Sequence, residues 1–312
     1  MANYVFGVDI GGTTVKIGLF TTQGEMVEKW EITTRTDEGG KYILSDIAAS
    51  VEDKLEEKRI EKSDVAGVGM GVPGPVKADG TVIKCVNLGW GIFNVEEELS
   101  KLLDLPVKAG NDANMAALGE MWQGGGKGHK DIVMVTLGTG VGGGIIVDGK
   151  VVAGFNGAGG EIGHITVNHD EIEACNCGQY GCLEQYTSAT GIVRVAKRKL
   201  AKTNDETSLR NFPELTAKDV FDEAKSGDAV ALGLVDEVCG ILGSTLSNIA
   251  CVVDPEVVVI GGGVSKAGSI LIESIQKHFV ETSFHACRNT KFVSAGLGND
   301  AGMYGCVQML LD

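Results

Sequence analysis

The sequence predicts an α/β protein of two domains built on one repeated pattern. Three observations carry this. Its 312 residues are about twice the roughly 150 of an average domain. Short β-type runs alternate with amphipathic helical stretches, as in strand–helix–strand units. The order strand, Gly/Thr turn, strand, Gly turn, strand that opens the chain restarts at Ile132, which reads as a duplicated βββ unit.

Residues 4–9 read as a buried strand and Val15–Phe20 as a second, because branched and aromatic residues dominate both. Gln23-Gly24 turns the chain into a third strand over 26–34. Ile43, Leu44, Ile47, Val51 and Leu55 recur at helical spacing and predict a helix over 41–58. Val65–Val72 is a strand stopped by Pro73-Gly74-Pro75, followed by a helix over 94–103, a strand over 106–109 and a helix from Ala113. Gln123–Gly128 reads as an inter-domain turn. The second half opens with strands Ile132–Leu137, Gly144–Val147 and Lys150–Ala153. Helices follow over 187–201, 216–225 and 229–250, then a buried strand Val257–Ile260 and helices over 267–279 and 300–311.

Composition narrows the function. There are 46 glycines but only 5 prolines, which excludes collagen and Pro/Gly-rich disorder and leaves a globular chain with many turns or close backbone approaches. The formal charge of −15 argues against a nucleic-acid surface. In a chain this acidic, a phosphate ligand is expected on backbone amides and a metal rather than on a Lys/Arg cluster. No apolar run reaches the roughly 18 residues of a membrane helix. The N-terminus opens on a strand-like run with no basic leader. The expectation is a cytoplasmic protein with no membrane and no nucleic-acid partner. Eight cysteines are too dilute for a disulfide scaffold.

Three glycine turns are candidate ligand sites. Gly11, Gly12, Thr13 and Thr14 follow Asp9 in a tight turn between two strands, where bare backbone N–H groups and hydroxyls can face phosphate oxygens. Asp9 at the strand end suits a divalent cation held through water. Gly138, Thr139 and Gly140 belong to a formal GxGxxG, but the run opens a strand and not a helix. A dinucleotide fold is therefore rejected, and a second phosphate hairpin mirroring the first is expected. Gly261 and Gly262 end a buried strand, the crevice position of open α/β sheets.

Asp112 follows the strand over 106–109 and opens a helix. It is either an N-cap or a general base at a strand's carboxyl end. His164 with Cys175, Cys177 and Cys182 offers a Cys3His donor set that suits tetrahedral zinc. Four protein donors leave no open position, so this zinc is expected to be structural. The loop would fix Glu161, His164 and Glu184 relative to one another, a rigid arrangement suited to hydroxyl recognition.

Taken together, Asp9-x-Gly-Gly-Thr, Gly71-Val72-Pro73-Gly74, Asn87-Leu88-Gly89-Trp90, Asn111-Asp112, Leu137-Gly138-Thr139-Gly140, Glu161-Ile162-Gly163-His164 and the run CNCGQYGCLE ending at Glu184 resemble the ROK family of sugar kinases. The resemblance runs over 4–310 and is closest to the bacterial ATP-dependent glucokinases of that family. It implies the actin-like, hexokinase-like ATPase fold: two α/β domains of duplicated βββαβα type flanking a cleft. The small domain would take 1–120 with the last helix, 298–312, packed back on it, and the large domain 121–297. Asp112 would be the catalytic base. Asn87, Asn111, Glu161, His164 and Glu184 would bind sugar hydroxyls, with His164 using one ring nitrogen for zinc. Gly11–Thr14 and Gly138–Gly140 would hold phosphates, and Gly261-Gly262 the adenosine side. The cofactors implied are ATP, Mg2+ and structural Zn2+, and the reaction is transfer to the 6-hydroxyl of glucose. Kinases for mannose, fructose, N-acetylglucosamine or N-acetylmannosamine remain alternatives, as does a sugar-sensing ROK repressor. The repressors carry an N-terminal DNA-binding segment, for which the eight residues before Asp9 leave no room. A polyphosphate donor is disfavoured by the −15 charge. A homodimer or homotetramer is expected as for most soluble oligomers.

Overall fold

The computed structural model describes residues 2–312. In chain order its first half contains β1 (Tyr4–Ile10), β2 (Thr14–Thr21), β3 (Met26–Thr33), β4 (Val65–Val72), the short pair β5 (Thr81–Val82) and β6 (Phe93–Asn94), and β7 (Val107–Asn111). The second half contains β8 (Ile132–Leu137), β9 (Val141–Val147), β10 (Lys150–Val151), β11 (Val257–Gly261) and β12 (Lys291–Ser294). One sheet is ordered β3-β2-β1-β4-β7 and the other β10-β9-β8-β11-β12. In each, the first three strands form an antiparallel meander, and the first, fourth and fifth run parallel. The duplication expected from the two βββ openings thus extends across both whole sheets. β12 was not expected: its four residues are exposed or half-buried at a sheet edge, so no buried apolar run marks them.

Each sheet has its own core. Phe6, Ile17 and Met70 pack against Ile47, Val51 and Leu99 on the first. Val135 and Ile260 pack against Phe221, Leu242 and Phe279 on the second. The helix Ile43–Lys58 buries the stripe expected of it and stops at Arg59. That residue turns left-handed (φ 54°) and returns its N–H to the last carbonyls. The helix expected over 187–201 is two, Glu184–Thr187 and Ala189–Lys202. Ser188 is extended between them, and its side chain caps the second helix through the Gly191 N–H. Helix Ala229–Val253 is long and apolar enough to cross a membrane, although Asp236 and Glu237 break its apolar run. It buries Leu234, Leu242 and Leu246 in the second core.

Two helices lie between the sheets. Ala301–Leu311 packs on the first sheet, where Gly69 leaves room for the backbone of Cys306, and on helix Asp112–Gln123, where Gly305 faces Met115. Asp112–Gln123 in turn packs Met115, Ala117 and Leu118 against Ile132, Met134 and Val257 of the second sheet. The boundary expected at residue 120 falls inside this shared helix. The chain therefore crosses between the sheets twice, at 124–131 and at 295–300.

Candidate active site

Parallel pairing brings one set of strand ends together. Asp9 pairs with Gly71, and Gly71 with Gly110, so Asp9 and Asp112 flank the same edge of the first sheet. On the second sheet Gly261 pairs with Thr136, and the turns that follow face the first sheet's edge across a cleft of about 890 Å3. This is where open parallel sheets bind ligands. Asp9, Asn87, Asn111, Asp112, Gly138, Gly140, Glu161, Glu184, Gly261 and Gly262 all line the cleft. Gly11, Gly12, Thr13, Thr14, Thr139 and His164 do not. The Gly11–Thr13 turn closes beside Asp9, with the Gly11 N–H donating to Thr14 O at 2.9 Å.

The two carboxylates differ in their surroundings. Burial, helped by the negative charges of Asp9 and Glu161 and opposed by the Ala113 N–H, pushes the Asp112 carboxyl up to about 6. That N–H donates to Asp112 Oδ1 at 2.8 Å. The helix cap lies one residue earlier: Asn111 accepts from the Asn114 N–H at 3.1 Å and donates to Gly74 O at 3.2 Å. The capping alternative for Asp112 thus passes to Asn111, and Asp112 is left facing the cleft. Asp9 is also raised by burial, with Lys16 opposing from 3.7 Å. Gly302 gives Asp9 its space, since a Cβ there would sit 2.8 Å from the carboxylate carbon.

Asn87 rides on a loop closed by reciprocal main-chain bonds between Cys85 and Trp90, at 3.0 Å each. The Trp90 indole N–H donates to Gly40 O at 3.0 Å and anchors that loop to the first core. Across the cleft, the Gly138–Gly140 turn is held from behind. The Ala189 N–H donates to Gly138 O at 2.8 Å, and Thr190 Oγ1 donates to Thr139 O at 2.8 Å. Gly262 adopts φ +83° hard against Leu137, a conformation and spacing that favour glycine.

Sequence reasoning missed two cations. Lys16 and Lys266 line the cleft, so its wall carries fixed positive charge as well as bare backbone. Lys16 lies on β2 and Lys266 in the short 3-10 helix Gly263–Ala267, far apart in sequence; only the fold brings them to one cleft. A second, mostly apolar pocket of about 360 Å3 adjoins the cleft, shares Gly138, Gly263 and Lys266 with it, and adds Ala217, Phe221 and Val264.

Behind the cleft, His164, Cys175, Cys177 and Cys182 bring one donor atom each to within 4.8 Å of one another. The sulfurs of Cys177 and Cys182 are 3.6 Å apart, too far for a disulfide at about 2.05 Å. Burial and the neighbouring thiols push Cys182 up to about 12, a tendency that a divalent cation reverses. The donor set fits tetrahedral zinc. His164 stands one short turn from Glu161, with Nε2 3.9 Å from Glu161 Oε2, so the cluster and the cleft share this turn.

A clamp braces the cluster. Glu171, its side chain only 2 % exposed, lies 2.6 Å from Arg194 Nη2. It accepts from Arg198 at 2.8 and 3.0 Å and from the Tyr186 hydroxyl at 2.6 Å. These bonds tie the cysteine loop to helix Ala189–Lys202.

The ROK family pattern matches residues 5–312. The chain belongs to the ROK family. A Halalkalibacterium halodurans protein named glucokinase is 45% identical over 304 residues, 96% of this chain and 92% of its own. A ROK glucokinase from Streptomyces griseus, solved with glucose and AMPPNP, is 32% identical over 98% of both chains, with a TM-score of 0.77. A Caldicellulosiruptor bescii xylose repressor is 31% identical over 98% of this chain and 78% of its own length. The ROK chain has the hexokinase-like ATPase fold, and its two matched sheets are that fold's two halves.

Proposed function

We propose that this chain is an ATP-dependent glucokinase, transferring the γ-phosphoryl group of Mg-ATP to the 6-hydroxyl of D-glucose. The observation that carries the reading is Asp112. It is a carboxylate with its pKa raised to about 6, at the floor of a cleft whose opposite wall is made of glycine turns. The 45% identical relative named glucokinase supports the same assignment.

Asp112 accepts the proton of the 6-hydroxyl as that oxygen bonds to the γ-phosphorus and the bond to ADP breaks. A base of this pKa takes the proton near neutral pH and passes it readily to solvent. Asn87, Asn111, Glu161 and Glu184, which line the cleft, are the proposed sugar contacts, and His164, set back from its wall, would join them as the domains close. Asn111 already spends its carbonyl on a cap, so its remaining amide hydrogen is what it offers. Asp9 and the Gly11–Thr14 turn would face the phosphates from one side, and Gly138–Gly140 and Lys266 from the other. The apolar pocket beside Gly261-Gly262 suits an adenine ring. Mg2+ bound with ATP supplies charge neutralisation, with Asp9 as the carboxylate that would hold it. Zinc held by His164, Cys175, Cys177 and Cys182 would order Glu161, His164 and Glu184. Closure of the two domains excludes water and favours transfer over hydrolysis. The reading includes a cytoplasmic homo-oligomer with no nucleic-acid or membrane partner.

A coupled ADP-release assay over a panel of hexoses and N-acetylhexosamines, with ATP or polyphosphate as donor, tests it. Glucose with ATP is expected to give the highest kcat/KM. N-acetylmannosamine well above glucose would overturn the sugar. Absence of turnover with sugar-dependent DNA binding would favour the repressor reading that the C. bescii relative raises.

A further inference from the structure

Glu120 is a buried carboxylate outside the cleft, fully shielded from solvent. No cation lies within salt-bridge distance of it among the described residues. Instead it accepts three main-chain N–H groups. Oε2 takes those of Gly125 at 2.7 Å and Gly296 at 2.8 Å, and Oε1 takes that of Leu297 at 2.8 Å. Gly124 and Gly126 also return their N–H groups to the Glu120 carbonyl.

These donors come from both places where the chain passes between the sheets. Gly125 lies on the crossover from helix Asp112–Gln123 into β8. Gly296 and Leu297 lie on the crossover from β12 into helix Ala301–Leu311. The two strands of chain touch: a Cβ at Gly296 would sit 3.3 Å from Gly125 N, and one at Gly125 would strike Ser294 O. Side-chain-free backbone on both crossovers lets one carboxylate reach all three donors. A buried charge is retained only where hydrogen bonds replace its water, and here that replacement is spread over both crossovers.

We propose that Glu120 is the pin of the interdomain hinge, a positioning residue for phosphoryl transfer that holds the two crossovers together so that the domains close along one path. Glu120 is two turns along the helix that Asp112 begins. Movement at the pin is therefore transmitted along a rigid element to the proposed base. This rests on the kinase reading for its kinetic consequence but not for its mechanical one.

The test is Glu120→Gln in the full chain. The amide keeps the shape, removes the charge, and turns an NH2 toward a main-chain donor. Glu120→Asp is a second variant, which keeps the charge but shortens the reach. Ile275→Val, in the second core, controls for lost stability alone. At a temperature where all are folded, Glu120→Gln is expected to lose about tenfold or more in kcat, a size typical of sub-ångström misplacement of reacting groups. The decrease in radius of gyration on adding glucose and Mg-AMPPNP, read by small-angle scattering, should shrink or vanish. Zinc content should stay unchanged, and Glu120→Asp should fall between. If Glu120→Gln does not fold, the aspartate variant carries the same readouts. A variant that only melts earlier, as Ile275→Val should, with wild-type kcat and wild-type compaction, overturns the hinge pin. Wild-type protein inactive on every sugar would sink the kinase reading, and the pin would then be judged without ligand by amide hydrogen exchange at Gly125, Gly296 and Leu297, which should speed up in Glu120→Gln but not in Ile275→Val; unchanged exchange would overturn it.

Discussion

Glu184 joins the glycine turn to the cysteine cluster. One carboxylate oxygen accepts the Val141 N–H at 3.0 Å, and the other lies 3.7 Å from the Cys175 sulfur. A Cβ at Gly140 would collide with the same carboxylate. One side chain thus sets the distance between the proposed phosphate hairpin and the cysteine loop. Glu184→Ala is expected to cost about tenfold to a hundredfold in kcat/KM for the sugar, the size of one lost hydrogen bond to a charged group at about 1.5–3 kcal/mol. Steady-state kinetics that change for neither substrate would remove Glu184 from the site.

Asp112→Ala is expected to lower kcat by more than about 10²-fold, as for a positioned acid–base group. Near wild-type turnover in that variant would end its role as base.

The pH dependence follows from the same carboxyl. With Asp112 raised to about 6, kcat/KM should fall as pH drops through that value, because the protonated acid cannot accept the sugar proton. Stability moves in the opposite sense. The folded pKa lies above the ordinary 3.8, so ionisation opposes folding: the penalty is absent below 3.8, grows up to about 6 and is constant above. Asp112→Asn should therefore melt higher than wild type at pH 8 but not at pH 3.5. A variant equally stable or less stable at pH 8 would contradict the burial argument.

Cys177→Ser removes one of four donors, and elemental analysis of the purified variant should show zinc lost. An unchanged zinc content would rule out the Cys3His site. Zinc removal from wild type by a chelator should lower the melting temperature, since metal bound only by the folded loop adds its binding free energy to stability.

The Glu171 clamp makes an acid-side prediction. Arg198, with Arg194 and the Tyr186 hydroxyl, holds the Glu171 carboxyl far below the ordinary carboxylate range. Its contribution is complete above the ordinary 4.5 and is lost as pH falls below it. Arg198→Ala should destabilise by about 1–3 kcal/mol at neutral pH. That is less than the ~3–5 of a broken, fully buried pair, because Arg194 remains. The deficit should narrow at pH 3, measured by denaturant midpoints. A deficit independent of pH would assign Arg198 a packing role instead.

Much of this was legible because the signals are local. The stripe Ile43–Leu55 marks a helix by itself, and the spacing of Cys175, Cys177 and Cys182 marks by itself a loop whose donors cluster with His164. β12 was illegible because an exposed edge strand buries too little to leave a pattern. The break at Ser188 was hidden because helical residues continue on both sides of it. Lys16 and Lys266 were passed over because the net charge describes the whole surface and not the cleft.

The sequence alone determined the repeated αβ pattern, the glycine turns and the cysteine cluster, since each depends on residues within a few positions of one another. Only tertiary structure decided which distant groups meet. Asp9 takes its space from Gly302, Lys16 shares a cleft with Lys266, and Glu120 gathers N–H groups from Gly296 and Leu297. Such meetings depend on strand pairing and helix packing across hundreds of residues. No local spacing encodes them, because the energy that fixes them comes from burial shared by whole sheets.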